Sequence, residues 1–540
     1  MNEVRNMKID LQGIADRNQW EAKGYRFPQY DIVQMKKATQ ENPLWVHFGA
    51  GNLFRAFHAA IAQRMLNDGR LDRGIIVAEG FDYEIIDRVY ATHDNLGIAV
   101  TLKADGTVDK EVIGSVAEAL PLDSGNPAAY TRLKEIFTKD SLQMITFTIT
   151  EKGYCLTDAK GEYLPEVMAD FANGPEKPAS YMGKVAALLH ARFCAGEKPA
   201  AMVSTDNCAH NGDRLHAAVL AFAKAWAENK KADAGFPEYI DSGKVTFPWS
   251  MIDKITPRPD DAVRDILEKD GVEECGAAVT SRNTYAAPFV NAEETGYLVI
   301  EDSFPNGRPR LEDGGVLFTE RETVDKVEKM KVCTCLNPLH TCLAVFGCLL
   351  GYRKIADEMK DEALVRLVER VGYQEGLPVV VNPEILDPKA FLDTVLKVRL
   401  PNPFLPDTPQ RIATDTSQKL PIRFGETIRA YGADEGLKVE DLQVIPLVYA
   451  GWLRYLMAVD DKGAPFALSP DPMLETLCPQ MQKIRLGDRD VEAVLKPVME
   501  NAQIFGVNLY EAGLAEKVCG YFQELIAGTG AVQRTLDGLE

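Results

Sequence analysis

The stretch LWVHFGAGNLFR, residues 44–55, joins a short apolar run to a glycine-rich turn. The run 44–48 has the length of a buried strand, and an amphipathic stretch follows the turn. Gly49 permits a tight turn, and Gly51 lets a phosphate approach the backbone, where the N–H groups at the start of the next helix can bind a pyrophosphate. The match to G-x-G-x-x-G is imperfect, because Phe54 occupies the position of the third glycine. A nucleotide-binding turn is predicted, with a purely structural glycine turn as the alternative.

Further β-like runs at 74–79, 96–102, 144–150 and 200–204 alternate with helical patterns. Such alternation is the signature of a parallel, doubly wound sheet. After an irregular, proline-containing segment the helical pattern dominates to the end of the chain. The sequence therefore predicts an α/β, Rossmann-type N-terminal domain and a mainly α-helical C-terminal domain, which we place at residues 1–295 and 296–540.

Composition excludes several classes of protein. The chain has 540 residues, a formal net charge of −20 and ten scattered cysteines. The negative charge disfavours nucleic acid or an anionic membrane as a partner, because the long-range field is repulsive. The N-terminus lacks the apolar core of a secretion signal, and no uninterrupted apolar run reaches the length of a membrane span. We expect a cytoplasmic protein with a small-molecule substrate, acting as a monomer or small homo-oligomer.

An acidic residue ends the second β-like run. Glu79 is placed where a carboxylate accepts hydrogen bonds from the ribose hydroxyls of a dinucleotide, and Asp82 is a second candidate. A carboxylate there disfavours a 2′-phosphate, so NAD is predicted in preference to NADP. A solvent-exposed end of a strand is the alternative for Glu79. The predicted cofactor-binding residues are Gly49, Gly51, Asn52, Leu53, Arg55, Glu79, Asp82 and Thr150.

The segment KMKVCTCLNPLH, residues 329–340, carries the second group of reactive side chains. A lysine can remove a hydroxyl proton, and an asparagine amide can donate to the developing oxyanion. Asn337 and His340 are three residues apart and would share one helix face. A hydrogen-bonded core network is the alternative interpretation. A zinc site using the cysteines nearby is disfavoured, because Cys-x-Cys within apolar flanks is typical of buried cysteines, and we predict no metal.

Seven motifs in one order make the chain similar to the mannitol dehydrogenase family of polyol-specific long-chain dehydrogenases, over roughly residues 40 to 460. They are GAGNLFRAF (49–57), TEKGY (150–154), DNCAHNG (206–212), FPWSMIDKITPRP (247–259), VIEDSFPNGRP (299–309), LNPLH (336–340) and RIATDTSQK (411–419). The resemblance implies an NAD-dependent, zinc-independent oxidoreductase with a Rossmann-type domain and a helical domain.

The resemblance also assigns roles to individual residues. It implies that Lys331 is the catalytic base and that Asn207 and Asn337 hold the oxyanion. It implies a substrate-binding role for His340, Arg411, Lys419 and Asp253, and we add Lys152 of the TEKGY motif as a basic residue that offsets a carboxylate.

One departure from the family pattern concerns the lysine. In the family the lysine precedes the asparagine by five residues, whereas Lys331 precedes Asn337 by six. One extra residue would turn the lysine by about 100° around a straight helix. A single π-helical turn would absorb the insertion, and such turns are frequent at functional sites. Lys331 is therefore the predicted base and Lys329 the fallback.

The family resemblance suggests a substrate class as well. Interconversion of a keto-sugar acid and its aldonate, of the fructuronate/mannonate type, is the first expectation, because Arg411, Lys419 and Lys152 offset a carboxylate in an acidic chain. Mannitol and fructose are the close alternative. A non-catalytic sugar or nucleotide sensor on the same fold is the alternative from another class of protein.

Overall fold

The structure, a computed structural model, describes residues 7–539. It divides into two compact units, the first comprising residues 7–103 and 107–325 and the second residues 326–539. The predicted boundary after residue 295 falls earlier than this division after Asp325. Strands on both sides of residue 295 belong to one sheet, since Tyr297–Glu301 pairs with Ser250–Asp253 and with Leu317–Thr319.

A six-stranded sheet forms the centre of the first unit. All five strand pairings are parallel. With the strands numbered β1 to β6 along the chain, their order across the sheet is β3-β2-β1-β4-β5-β6. This is the strand order of the Rossmann fold, whose ligand lies at the carboxyl ends of the strands. The prediction of a doubly wound parallel sheet is therefore confirmed. The strands are β1 (Trp45–Phe48), β2 (Ile75–Glu79), β3 (Val116–Pro121), β4 (Met144–Phe147), β5 (Ala200–Ser204) and β6 (Val245–Thr246).

The sheet is buried on both faces. Along β1, Trp45 belongs to one hydrophobic cluster, whereas Val46 and Phe48 belong to the cluster on the other side. Both faces of a parallel sheet are covered by helices, so its strands are continuous apolar runs. The helices of this unit are Arg17–Glu21, Ile32–Glu41, Ala59–Asn67, Pro127–Phe137, Thr150–Gly153, Pro165–Asn173, Tyr181–Cys194, Asn211–Glu228, Phe236–Asp241 and Asp261–Asp270, with π-helical segments at Phe54–His58 and Ile86–Tyr90.

Three smaller sheets complete the first unit. One has the order Tyr25–Arg26, Val108–Ile113, Gly97–Leu102 and Phe289–Glu293. The strand Gly97–Leu102 pairs in parallel with Phe289–Glu293 and antiparallel with Val108–Ile113. The other two are the three-stranded sheet around Tyr297–Glu301 and the pair Ala278–Val279 and Tyr285–Ala286.

The second unit is helical, as predicted. Its most apolar helix is Asn337–Leu350, most of whose residues are buried. The helices are Asn337–Leu350, Ile355–Glu358, Glu362–Glu369, Pro388–Thr394, Pro409–Ile412, Thr416–Arg423, Gly425–Ala433, Val444–Tyr455, Leu474–Met481, Glu492–Met499, Ala502–Phe505, Ala515–Leu525 and Ala531–Asp537, with π-helical segments at Met330–Cys335, Arg370–Gly376 and Val395–Arg399.

A continuous helical stretch, Arg321–Leu350, has the length and hydropathy of a membrane span. The sequence alone suggested no such run. However, 78% of its most apolar window is buried within the protein. Burial of that extent is typical of a core helix, whose apolar side chains are covered by neighbouring helices.

Candidate active site

The glycine turn lies at the carboxyl end of β1. Gly49 has a φ of +104°, and a Cβ atom on it would come within 2.2 Å of the carbonyl oxygen of Thr148. A residue other than glycine is therefore excluded by both conformation and space. At Gly51 an added Cβ would meet no protein atom within 4 Å, so the space in front of the turn is open. The helix that follows begins beyond Gly51, as expected for a phosphate-binding turn.

Glu79 ends β2 beside this turn. Its carboxylate accepts hydrogen bonds from the backbone N–H of Ala50 at 2.8 Å, of Phe81 at 2.7 Å and of Asp82 at 3.0 Å. Burial raises the pKa of Glu79, and the three amides act in the opposite direction. Glu79 is only 6% exposed, which argues against a solvated strand end. Its carboxylate holds the glycine turn and the β2 turn in one arrangement.

The loop after β4 is fixed by a residue that the sequence did not single out, Asp206. Its carboxylate accepts from the backbone N–H of Ile149 at 3.0 Å and of Thr150 at 2.8 Å, and from the Tyr154 hydroxyl at 2.6 Å. Thr150 has a φ of +64°, in the left-handed region that a threonine rarely adopts. The hydrogen bonds that the backbone N–H groups of Ile149 and Thr150 donate to Asp206 hold Thr150 in this conformation.

A hydrogen-bonded histidine supports the same loop from within the sheet. The His47 ring nitrogens lie 2.6 Å from the Thr146 hydroxyl and 2.8 Å from the Thr148 hydroxyl. Burial, with a contribution from His58, holds the pKa of His47 well below its usual value. The imidazole is therefore neutral and acts as a rigid spacer between β1 and β4.

These loops enclose a cavity of about 540 Å³. Six predicted residues line it, five from the cofactor set and one, Lys152, from the substrate set. The six are Gly49, Gly51, Glu79, Asp82, Thr150 and Lys152. Asp82 also accepts a hydrogen bond of 2.5 Å from the Thr280 hydroxyl.

Three members of the predicted cofactor set are not among the residues that line this cavity: Asn52, Leu53 and Arg55. The Arg55 guanidinium is buried against another part of the first unit. There it donates to the carbonyl of Phe289 and lies beside Gly97. The helical turn that follows the glycine loop directs the Arg55 side chain away from this cavity.

Two further predicted residues of the first unit lie at strand ends. Asn207 is exposed in the loop directly after β5, next to Asp206. Asp253 is buried and ends the strand Ser250–Asp253. Both therefore occupy positions from which a side chain can serve a site at the edge of a sheet.

In the second unit, Lys331 lies in the π-helical segment Met330–Cys335. The backbone N–H of Leu336 donates to the carbonyl of Lys331 at 3.1 Å, a hydrogen bond that spans five residues. The π-helical turn expected from the extra residue is thus confirmed. Lys331 is 4% exposed, whereas Lys329 lies on the exposed surface. The turn gives the two lysines different environments.

Asn337 begins the helix that follows the π-helical segment, and Arg423 holds it from a distant part of the chain. One guanidinium nitrogen of Arg423 donates to the Asn337 carbonyl at 3.3 Å and to the Thr341 hydroxyl at 2.6 Å. The Thr341 hydroxyl donates to the same Asn337 carbonyl at 3.1 Å. Burial lowers the pKa of Arg423 to about 10. Sequence reasoning missed Arg423, although it follows the RIATDTSQK motif by four residues.

Asp407 joins two of the predicted substrate-binding residues. Its carboxylate lies 3.9 Å from the His340 ring nitrogen and accepts a hydrogen bond from the Arg411 guanidinium. Asp407 is buried, whereas the Arg411 side chain is 67% exposed. The sequence did not predict a role for Asp407, because this residue lies in a proline-rich segment that matches no motif.

Lys419 is a partly buried cation of the same region. Its ammonium donates to the backbone carbonyls of Ile412 and Thr414. Burial lowers the pKa of Lys419 to about 8, and the positive charges of Arg423 and Arg411 contribute. Arg411, Lys419 and Arg423 thus concentrate positive charge in a protein of strongly negative net charge. Such a cluster favours an anionic ligand.

Of the cysteines considered as zinc ligands, Cys333 is half-buried and Cys335 is buried. Burial raises the pKa of Cys335 to about 12 and that of Cys333 to about 11. Among residues 7–539, no three histidine, cysteine, aspartate or glutamate side chains form a metal-binding group.

A Rossmann-type unit with a nucleotide-binding turn, followed by a helical unit with a buried lysine, is the organisation of a two-domain dehydrogenase. Sequence comparison agrees in both units. The profile of the mannitol dehydrogenase Rossmann domain matches residues 44–313, and that of the mannitol dehydrogenase C-terminal domain matches residues 323–526. The chain belongs to the mannitol dehydrogenase family and is an oxidoreductase.

Similar proteins cover nearly the whole chain. D-mannonate oxidoreductase of Thermotoga maritima is 53% identical over 98% of this chain and 98% of its own length. D-mannonate oxidoreductase of Escherichia coli is 30% identical over 89% of this chain and 92% of its own. Mannitol 2-dehydrogenase of Pseudomonas fluorescens, solved as a ternary complex with NAD and D-mannitol, is 26% identical and superimposes with a TM-score of 0.68 over 98% of this chain and 100% of its own.

Proposed function

We propose that the protein is an NAD-dependent D-mannonate oxidoreductase that interconverts D-mannonate and D-fructuronate. The main support for this substrate is the 53% identity with the Thermotoga maritima D-mannonate oxidoreductase over almost the full length of both chains. Because the identity to the mannitol 2-dehydrogenase is half as large, mannitol oxidation is the second candidate.

The cofactor is proposed on the chemistry of the cavity in the first unit. The open space before Gly51 suits a pyrophosphate, and Glu79 suits the ribose hydroxyls. Glu79 and Asp82 both line this cavity, and two carboxylates would repel the 2′-phosphate of NADP. A bound nicotinamide would supply the acceptor or donor for a hydride. The neighbouring Thr150 and Lys152 would contact the same ligand.

Lys331 is proposed as the general acid and base. In the oxidative direction its neutral amine takes the proton of the substrate hydroxyl, and in reduction its ammonium returns it. Asn207 and Asn337 are proposed to donate amide hydrogens to the substrate oxygen, whose negative charge increases during the reaction. The single guanidinium of Arg423 fixes the backbone of Asn337. That contact supports a constant position for the amide.

The positive cluster is proposed to bind the sugar acid. Arg411 and Lys419 supply charge for a carboxylate, and His340 is proposed to bind substrate hydroxyls while Asp407 orients it. Asp253, a residue of the first unit, is proposed to bind a substrate hydroxyl. A carboxylate substrate could pair with the exposed Arg411 guanidinium, a contact that mannitol cannot make with a charged group.

The experiment that tests the function is a comparison of NADH oxidation with D-fructuronate, D-fructose and D-tagaturonate at equal concentration. We expect kcat/KM for D-fructuronate to exceed that for D-fructose by at least about tenfold, since D-fructose lacks the carboxylate and loss of one charged contact costs about 1.5–3 kcal/mol. D-tagaturonate keeps the carboxylate, so it tests recognition of the hydroxyl configuration. A preference for D-fructose would replace the proposal by mannitol 2-dehydrogenase. Turnover of none of the three would contradict it altogether.

Two lysine variants test the assigned base. Lys331→Met should lower kcat by about 10²–10⁴, the usual contribution of a general acid or base. Lys329→Met is the matched control, because Lys329 lies on the exposed surface only two residues earlier. Its kcat should stay within about twofold of the parent. If Lys329→Met carries the loss instead, the assignment to Lys331 is wrong.

A further inference from the structure

The buried guanidinium of Arg55 belongs to none of the proposed contacts with cofactor or substrate. Arg55 lies in the π-helical segment Phe54–His58 and is 7% exposed. One nitrogen, Nη1, donates to the carbonyl of Phe289 at the long distance of 3.5 Å. The other, Nη2, is buried and has no hydrogen-bond acceptor among the protein atoms of residues 7–539. The side chain therefore has hydrogen-bonding capacity that the protein does not use.

The charge of Arg55 is also unbalanced. Within the described part of the chain it forms no ion pair with a carboxylate, and Tyr90 is the ionisable group that acts on its pKa. Its polar neighbour is Tyr90, whose hydroxyl donates to the Ala50 carbonyl at 2.9 Å. Although burial lowers the pKa of Arg55, a guanidinium remains protonated in proteins. A buried charge without a partner is strongly unfavourable, so a counter-charge would stabilise this fold.

A small cavity adjoins the guanidinium. Its volume is about 20 Å³, enough for one particle the size of a water molecule. The strand Gly97–Leu102 forms one wall, and glycine at position 97 keeps the space open, because a Cβ there would lie 3.2 Å from Nη2 of Arg55. Tyr90, Asn95 and Ile98 also line the cavity.

We propose that this cavity is a binding site for a monatomic anion, of which chloride is the physiological example. An anion in contact with Nη2 would supply both the missing acceptor and the missing negative charge. A sugar acid, a phosphate or a carboxylate exceeds the volume of the cavity, so the site is distinct from the cofactor and substrate sites. Because Arg55 lies on the helix that follows the glycine turn, the anion would stabilise the first unit near its nucleotide-binding end.

Bromide identifies the site directly. Crystals of the full chain grown or soaked in sodium bromide should give an anomalous difference peak beside Nη2 of Arg55. A cavity that contains only water gives density without an anomalous signal, and that result would overturn the proposal.

Thermal unfolding measures the energetic consequence in solution. Sodium chloride is titrated against sodium methanesulfonate at constant ionic strength, because methanesulfonate is too large for the cavity and is not a sugar acid. At a chloride concentration ten times Kd, binding to the folded state alone shifts the folding equilibrium by about 11-fold. We expect a saturable rise in Tm with chloride in the parent protein. An identical response to the two salts would contradict the proposal.

Variants separate the site from general salt effects. Arg55→Met should lose the specific chloride response, whereas Arg64→Met should keep it. Arg64 is the matched control, because it lies on the same helix and donates to the Gly314 carbonyl outside this cavity. Gly97→Ala retains the guanidinium but fills the space beside it, so it tests the site even if Arg55→Met does not fold. A full chloride response in Gly97→Ala would refute the assigned position.

Discussion

Arg423 holds the backbone of Asn337, the residue that we propose binds the substrate oxygen. The perturbation is Arg423→Met, which keeps most of the aliphatic stem and removes the guanidinium. Two hydrogen bonds disappear, a short one to the Thr341 hydroxyl at 2.6 Å and a longer one to the Asn337 carbonyl at 3.3 Å. Hydrogen bonds from a charged donor contribute about 1.5–3 kcal/mol each. We take about 2 kcal/mol for positioning Asn337, which predicts a loss of roughly 30-fold in kcat.

The same substitution removes a positive charge near Lys419. Burial lowers the pKa of Lys419 to about 8, and Arg423 is the next largest cause. In Arg423→Met the pKa of Lys419 should therefore rise. The Lys419 ammonium then persists to higher pH, and the alkaline limb of the kcat/KM profile shifts to higher pH. Arg423→Lys is the control, because it keeps the charge but not the planar donor geometry.

The assay is the pH dependence of kcat and kcat/KM for D-fructuronate reduction, with Tm measured for each variant. Arg423→Lys should lose kcat without a shift in the pH profile, whereas Arg423→Met should show both effects. Two results would refute the reasoning: kcat of Arg423→Met within twofold of the parent, or an alkaline limb that moves to lower pH. Each variant must still be folded at the assay temperature, as its Tm shows, for either conclusion to hold.

Three further substitutions test separate parts of the structure. Glu79→Gln should raise KM for NAD⁺ by about tenfold and increase relative use of NADP⁺, since the carboxylate is lost; initial rates with both cofactors measure this, and unchanged cofactor preference would contradict it. Asp206→Asn weakens the hydrogen bonds that fix Thr150. We expect calorimetry to give a Tm several degrees lower and initial-rate kinetics to give a higher KM for NAD⁺. Burial raises the pKa of Glu358 to about 10, and neither carboxylate oxygen has a hydrogen-bond partner among residues 7–539. In the folded state the Glu358 carboxyl keeps its proton up to about pH 10, whereas in the unfolded state it loses the proton near pH 4.5. The free energy of unfolding therefore falls as pH rises from about 4.5 towards 10. Glu358→Gln should remove this decline and exceed the parent in unfolding free energy at pH 8; a parallel pH dependence of the two proteins in urea unfolding would exclude the effect.

Much of the fold could be predicted because its signals are local. The glycine turn after β1 and the apolar runs of the central strands depend on neighbours a few residues apart in the sequence. The extra residue before Asn337 likewise predicted a π-helical turn, since helical phase depends only on the number of intervening residues. Identification of the family followed from seven such local motifs.

Side-chain direction was not predictable in the same way. Arg55 belongs to the glycine-turn motif, yet its guanidinium points to the strand Gly97–Leu102. A helix rotates successive residues by about 100°, so only its packing against the sheets decides which side each residue faces. A domain boundary is similarly hard to predict from local patterns, since strands distant in sequence pair across residue 295.

The amino-acid sequence by itself determined the parallel Rossmann-type sheet, the position of the glycine turn, the helical second unit and the shifted lysine. Only the tertiary structure decided that Glu79 binds the Ala50 amide, that Asp206 holds Thr150, and that Arg423 holds Asn337. The last pair is 86 residues apart in the chain. Hydrogen bonds and charges act through space over a few ångströms, and no local pattern records which distant residues the fold brings within that range.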